Sequence, residues 1–166
     1  LDGQGNVWVG DYSNHRLRKV TPDGVVTTAA GSGIAGFLDG DPALGRFNYP
    51  WGVVVDSAGS VFVADRYNHR IRKLAGGVLT TLAGSGAGGW LDGAGTKAVF
   101  NQPLNLALAS GGTIVIADWG RPNQEVVVRV VERAMAAHRT HPADLESLLE
   151  TDANTRAFVR TLIERT

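Results

Sequence analysis

Two stretches of this chain are nearly the same string. Asn6 to Val20 reads Asn-Val-Trp-Val-Gly-Asp-Tyr-Ser-Asn-His-Arg-Leu-Arg-Lys-Val, and Ser60 to Leu74 reads Ser-Val-Phe-Val-Ala-Asp-Arg-Tyr-Asn-His-Arg-Ile-Arg-Lys-Leu. A spacing of 54 residues separates Asn14-His15-Arg16 from Asn68-His69-Arg70. A repeat of this length constrains the fold more than any composition value does. Each unit is too small to bury its own apolar face and must stack on a neighbour.

The second copy can be laid out as a unit. Gly52-Val-Val-Val-Asp56 is a short apolar run, Ala58-Gly59 turns the chain, and Val61-Phe-Val-Ala-Asp65 is a second run ending at the turn Tyr67-Asn-His69. Arg70-Ile-Arg-Lys-Leu74 alternates polar and apolar residues, Gly76-Gly77 turns again, and Val78-Leu-Thr-Thr-Leu82 completes the set. Short β-branched runs punctuated by Gly, Asp and Asn predict four antiparallel strands, which is one blade of a β-propeller. The following loop repeats as well. Ala30-Gly-Ser-Gly33, Gly36-Phe-Leu-Asp-Gly40 and Arg46-Phe-Asn-Tyr-Pro50 correspond to Ala83-Gly-Ser-Gly86, Gly89-Trp-Leu-Asp-Gly93 and Val99-Phe-Asn-Gln-Pro103, now at a spacing of 53. Phe37 and Trp90 are expected to pack over a neighbouring blade.

A third copy starts at Leu104-Asn-Leu-Ala-Leu108 and Thr113-Ile-Val-Ile-Ala-Asp118, keeping Asp118 in phase with Asp11 and Asp65. Beyond it the Asn-His-Arg turn is replaced by Trp119-Gly-Arg-Pro-Asn-Gln-Glu125, with Val126 to Val131 available as a third strand. All 22 glycines lie at or before Gly120 and all five glutamates at or after Glu125, so the chain divides near residue 120. The expected architecture is all-β over residues 1–120, a partial β-propeller of about two and a half four-stranded blades. Residues 121–166 are expected to supply the last strand and a short α-helical tail, with Leu145, Leu148 and Leu149 on one helical face and Asp152 as the cap of a final helix.

Bulk properties narrow the partners. Of 166 residues, 43% are hydrophobic, enough for a core, and 16 basic residues cancel 16 acidic ones, so no net field draws the chain to nucleic acid or anionic lipid. The absence of cysteine removes disulfides, thiolate metal sites and a cysteine nucleophile. No run approaches the ~18 apolar residues of a membrane span, and no signal-like segment opens the sequence. These features favour a cytoplasmic protein without membrane insertion, while leaving the compartment undecided.

The string Val-Ala-Asp-x-x-Asn-His-Arg-Ile-Arg-Lys-Leu, followed by Thr-Thr-Leu-Ala-Gly-Ser-Gly, Gly-Trp-Leu-Asp-Gly and Phe-Asn-Gln-Pro, resembles the NHL repeat. The Asn-His-Leu positions that give that family its name are matched by Asn14-His15-Arg16 and Asn68-His69-Arg70. The resemblance covers about residues 1–120. It implies a propeller, commonly six-bladed in the family, that serves as a rigid interaction platform. A ring needs at least about four blades, so the resemblance implies either a segment of a longer propeller or completion by other subunits.

Chemistry-bearing residues divide into two groups. His15 and His69 are tempting catalytic or metal-binding candidates. Their recurrence at equivalent turns, each after Asn14 or Asn68, instead assigns them a structural role in which imidazole bonds backbone of an adjacent strand. Asp11, Asp65 and Asp118 end equivalent strands, where they would cap turns or line one channel mouth with carboxylates. The second group is basic. Arg16, Arg18 and Lys19 recur as Arg70, Arg72 and Lys73 on the basic strand, and together with Arg66 they are expected to stack, blade on blade, into an interaction stripe. The glycine-rich loops precede no helix and lack a P-loop lysine. No catalytic, metal or cofactor set assembles. The expected function is a non-enzymatic protein-interaction scaffold in a larger assembly, with an RNA-binding propeller and a metal-dependent lyase- or hydrolase-like propeller, both known within the resemblance, as alternatives.

Overall fold

A computed structural model of the chain describes residues 1–109, 112–118 and 127–131, the last of these as backbone. Ten strands follow one another: β1 (Val7–Asp11), β2 (Arg16–Val20), β3 (Val26–Ala30), β4 (Pro50–Val55), β5 (Val61–Asp65), β6 (Arg70–Ala75), β7 (Val78–Ala83), β8 (Asn105–Leu108), β9 (Ile114–Asp118) and β10 (Val127–Val131). They form three sheets. Blade 1 is β1-β2-β3, blade 2 is β4-β5-β6-β7 and blade 3 is β8-β9-β10, each antiparallel between sequence neighbours. The expected partial propeller is therefore present. The helices expected in residues 132–166 lie outside the described residues.

Blade 2 is apolar on both faces because it is sandwiched. In β5, Val61 and Val63 point into one core with Leu17 and Ala30 of blade 1, Phe47 and Leu79. Phe62 and Ala64 point into a second core with Ile71, Ala83, Ala98, Phe100, Ile114 and Ile116, the last two from blade 3. Side chains alternate across a strand, so a strand buried on both faces loses the apolar-polar alternation and reads as a continuous apolar run.

The two long loops weld the blades together. From β3, Gly31 N–H donates to Pro42 O at 2.8 Å and Ser32 N–H to Gly45 O at 2.8 Å. The loop then crosses to blade 2, where Gly40 and Leu79 exchange two backbone hydrogen bonds of 2.8 and 2.9 Å. Gly31 has a φ of 100°, and a Cβ there would meet His15 O at 2.6 Å, so glycine is required on both counts. Gly84 opens the second loop in the same way, with a φ of 99° and His69 O at 2.4 Å from a built Cβ. Phe47 and Phe100, at equivalent loop positions, plug the two interblade cores.

Register carries the repeat into blade 3. Arg72 of β6 faces Val63 of β5, two residues before Asp65. Arg129 of β10 faces Ile116 of β9, two residues before Asp118. Arg129 thus occupies the position of Arg72 although eight residues separate β9 from β10 where four separate β5 from β6.

Phe47→Ala should cost about 3–5 kcal/mol, the usual loss for a buried phenylalanine that leaves a cavity. Val78→Thr, at an exposed position, should stay within about 0.5 kcal/mol. Urea denaturation of the two variants measures both.

Candidate functional site

At one end of blade 2 the repeated residues Asp65 and Asn68 meet the loop that leaves blade 1, and Arg72 of β6, which is 0% exposed, joins them to it. Its guanidinium meets Asp65 of its own blade and Asp39 of the preceding loop, both at 2.6 Å. It also donates to the carbonyls of Leu38 at 2.8 Å and Arg46 at 3.0 Å. A guanidinium is suited to this site because its planar fork serves several acceptors at fixed angles. Asp39 reaches further, accepting from Thr81 N–H and Oγ1. Burial pushes the Asp65 carboxyl up to about 6, against the pull of Arg72 and of the Asn48 and Asn68 donors, so it is ionised at neutral pH.

The histidines are turn residues. A short 3-10 turn, Tyr12–Asn14 or Arg66–Asn68, ends in His15 or His69 at a φ of 54° or 53°. Tyr49 and Gln102, in the following loops, are also left-handed, at 56° and 53°. One hydrogen bond joins each pair: Tyr49 N–H donates to His15 Nδ1 at 3.2 Å and Gln102 N–H to His69 Nδ1 at 3.1 Å. The acceptor role requires Nδ1 without a proton. Burial also lowers the His69 pKa, only partly offset by its backbone bond to Phe100.

Between blades 1 and 2 the same end carries an aromatic group. Tyr49 packs on Tyr12 at 4.6 Å, on His15 at 4.6 Å and on Tyr67 at 5.0 Å between ring centroids, and Tyr12 meets the edge of Trp51 at 5.0 Å. Arg66 lies 5.3 Å from the Trp51 centroid and 5.0 Å from that of Tyr67, and its Nη1 donates to Tyr12 Oη at 3.2 Å. Trp51 remains 44% exposed and Tyr67 38%. Trp51 sits on β4, the first strand of its blade, where Gly52 N–H bonds Leu104 O at 2.8 Å as neighbouring blades converge.

The basic residues do not form one stripe, because neighbours on a strand point to opposite faces. Arg72 is buried in the clamp and presents no surface. Arg70 stacks on Phe37 at 3.9 Å and donates to the carbonyls of Asn68 and Ser85. Arg16 donates to Ser32 O at 3.1 Å. Lys19 and Lys73 turn the other way, 5.7 Å over Trp8 and 5.5 Å over Phe62. Arg18 is half-buried, and Arg66 joins the aromatic group. Asp65 and Asp118 are buried at their strand ends and accept backbone N–H groups of Asn48 and Asn101 at 2.7 and 2.8 Å. Asp11 accepts from Asn14 as Asp65 does from Asn68, both at 2.8 Å. No group of three potential metal ligands occurs among the described residues.

Tyr12, Tyr49, Trp51 and Tyr67 carry no signal in the repeat, because none of them recurs. Their counterparts at the repeat spacings are Arg66, Gln102, Leu104 and, for Tyr67, Ser13. Positions that differ between copies were the available signal, and these four converge in space.

Arg72→Met should cost about 3–5 kcal/mol, since it strands two carboxylates beside a buried core. Urea denaturation reads the loss. The depressed His69 pKa means that the unfolded chain takes up a proton more readily below about pH 6.5, so this residue's contribution is present above that pH and falls as the pH drops. Thermal melts from pH 7 to 5.5 should therefore fall more steeply for the native chain than for His69→Gln. Asp65, whose raised pKa acts with the opposite sign, is common to both chains.

Comparison with known proteins agrees with this geometry. The NHL repeat family matches residues 47–74. The chain is 35% identical over 82 residues to Protein SUPPRESSOR OF QUENCHING 1, chloroplastic, of Arabidopsis thaliana, a match over 48% of this chain and 8% of that protein. A structural genomics protein of unknown function from Bacteroides thetaiotaomicron superposes with a TM-score of 0.65 at 29% identity, over 68% of this chain and 30% of that one. An auxiliary nutrient binding protein from Bacteroides ovatus shares the fold, with a TM-score of 0.59 at 24% identity, over 68% of this chain and 32% of that one. The chain thus spans less than a third of the length of each of these proteins. Its sheets are β-propeller blades, and residues 47–74, from the loop entering blade 2 through its third strand, match the NHL repeat.

Proposed function

We propose that the chain is a non-enzymatic NHL-type propeller segment that docks protein partners within a larger assembly, with the Tyr12, Tyr49, Trp51, Tyr67 and Arg66 group as its contact point. The observation that carries this reading is an exposed tryptophan and tyrosine held by other rings at the converging ends of two blades. Trp, Tyr and Arg are the residue types that dominate binding energy at protein interfaces. Rings fixed by their neighbours lose little freedom on binding, which favours affinity. The arginines offer less to RNA. Arg72 is buried, and Arg70 and Arg16 are engaged with backbone carbonyls of their own chain.

The test compares capture of partners from the source organism by the native chain and by Trp51→Ala/Tyr67→Ala. A docking hot spot of at least about 2 kcal/mol weakens the retained partner by about thirtyfold. Lys19→Ala/Lys73→Ala should leave capture unchanged. Equal capture by the aromatic variant removes this site from consideration. RNA retention that falls steeply between low and moderate salt would favour the nucleic-acid reading instead.

A further inference from the structure

The rings where blades 1 and 2 converge stand in a row, Trp51, Tyr12, Tyr49 and Tyr67, each in contact with the next. The two end pairs meet edge to face, at 84° and 89°. Rings set this way present a face beside an edge, a ridged surface rather than one flat platform. The most exposed rings are the two ends of the row, Trp51 and Tyr67. Arg66 lies 5.3 Å from one centroid and 5.0 Å from the other, so these two rings are at most about 10 Å apart. One turn of a polyproline II helix, three residues at ~3.1 Å each, covers about 9 Å.

The polar chemistry narrows the ligand further. Trp51 Nε1 makes no hydrogen bond among the described residues, whereas the indole of Trp8 donates to Asp2 at 2.9 Å. A donor beside two exposed rings calls for an acceptor from the ligand. A helix uses its carbonyls internally, so it has few to offer. An added strand needs alternating donors and acceptors along a sheet edge, but Pro50 has no N–H and Gly52 N–H already bonds Leu104 O at 2.8 Å. A polyproline II segment makes no internal hydrogen bonds and leaves every carbonyl open. The five residues of the group bring one charge, the Arg66 cation, which is complementary to a carboxylate on the ligand.

Granted that this group docks a protein, we propose that it receives a proline-rich, acidic segment of the partner in the polyproline II conformation. Prolines three residues apart lie on Trp51 and Tyr67, and a carbonyl of the segment accepts from Trp51 Nε1. The stiffness of such a segment limits the freedom it loses on binding, as the packed rings do on this side.

The probe is the acetylated peptide Glu-Pro-Pro-Ala-Pro-Pro-Ala-Pro-Pro, with a control in which every proline is alanine. The chain has four tryptophans, so a proton–nitrogen correlation spectrum shows four indole peaks, and Trp51→Phe identifies the one from Trp51. The proline peptide should move that peak downfield and saturably, and the alanine peptide should not. The peak of Trp90, an exposed ring outside the group, should stay in place. Tyr67→Ala should weaken the peptide by about tenfold. A Trp51 peak that is unmoved at millimolar proline peptide, or that moves equally with the alanine peptide, overturns the proposal. Movement with a uridine hexamer and not with the proline peptide overturns it too, and assigns the rings to nucleic-acid bases. The docking site and its ligand fail separately. Partners lost with Trp51→Ala/Tyr67→Ala but not displaced by excess proline peptide leave the docking site and remove its proline ligand, whereas capture unchanged by that variant removes the docking site itself.

Discussion

A single guanidinium joins the parts of this structure that sequence distance keeps apart. Arg72 ties the end of its own blade, through Asp65, to the preceding loop, through Asp39 and two carbonyls. Burying an isolated charge is prohibitive, so the arginine is tolerable only when both carboxylates and both carbonyls are in place. That requirement fixes the loop path, and the loop path sets where Phe37, Phe47 and Gly40 lie. Hydrophobic packing supplies the larger share of the interblade attraction, but it is indifferent to small slides of one sheet over another. The ionic clamp is directional and is not.

This division of labour explains which parts of the molecule could be read from the sequence. The strand order, the turns and the third strand at Val127–Val131 were legible because they follow from short apolar runs and from glycines recurring at fixed spacing. The cluster of Tyr12, Tyr49, Trp51 and Tyr67 was not, because no two of the four are adjacent in the chain and none recurs at its repeat position. The fate of Arg72 was illegible for a related reason. Arg72 and Lys73 are adjacent cations on opposite faces of the strand, and it is Asp39, 33 residues earlier, that gives Arg72 a carboxylate partner from the preceding loop.

The histidine turn shows how a residue with chemical promise becomes architectural. His15 and His69 each adopt a left-handed backbone conformation, and each accepts a hydrogen bond from a second left-handed residue in the next loop. Two locally unfavourable conformations are held by one interaction that neither could make alone. An imidazole used as a neutral acceptor at a backbone amide has no lone pair left at that nitrogen for a metal.

The exchange of hydrogen bonds between Gly40 and Leu79 has a consequence for cooperativity. Leu79 belongs to the last strand of blade 2, while Gly40 belongs to the loop that leaves blade 1. Fraying of β7 must therefore release the loop of the blade before it, and with it the lid over Phe47. In stacked repeats stability is a sum of the units' own terms and of the interfaces between neighbours. Here part of that interface runs through the backbone, so the last strand of blade 2 and the loop leaving blade 1 hold each other in place.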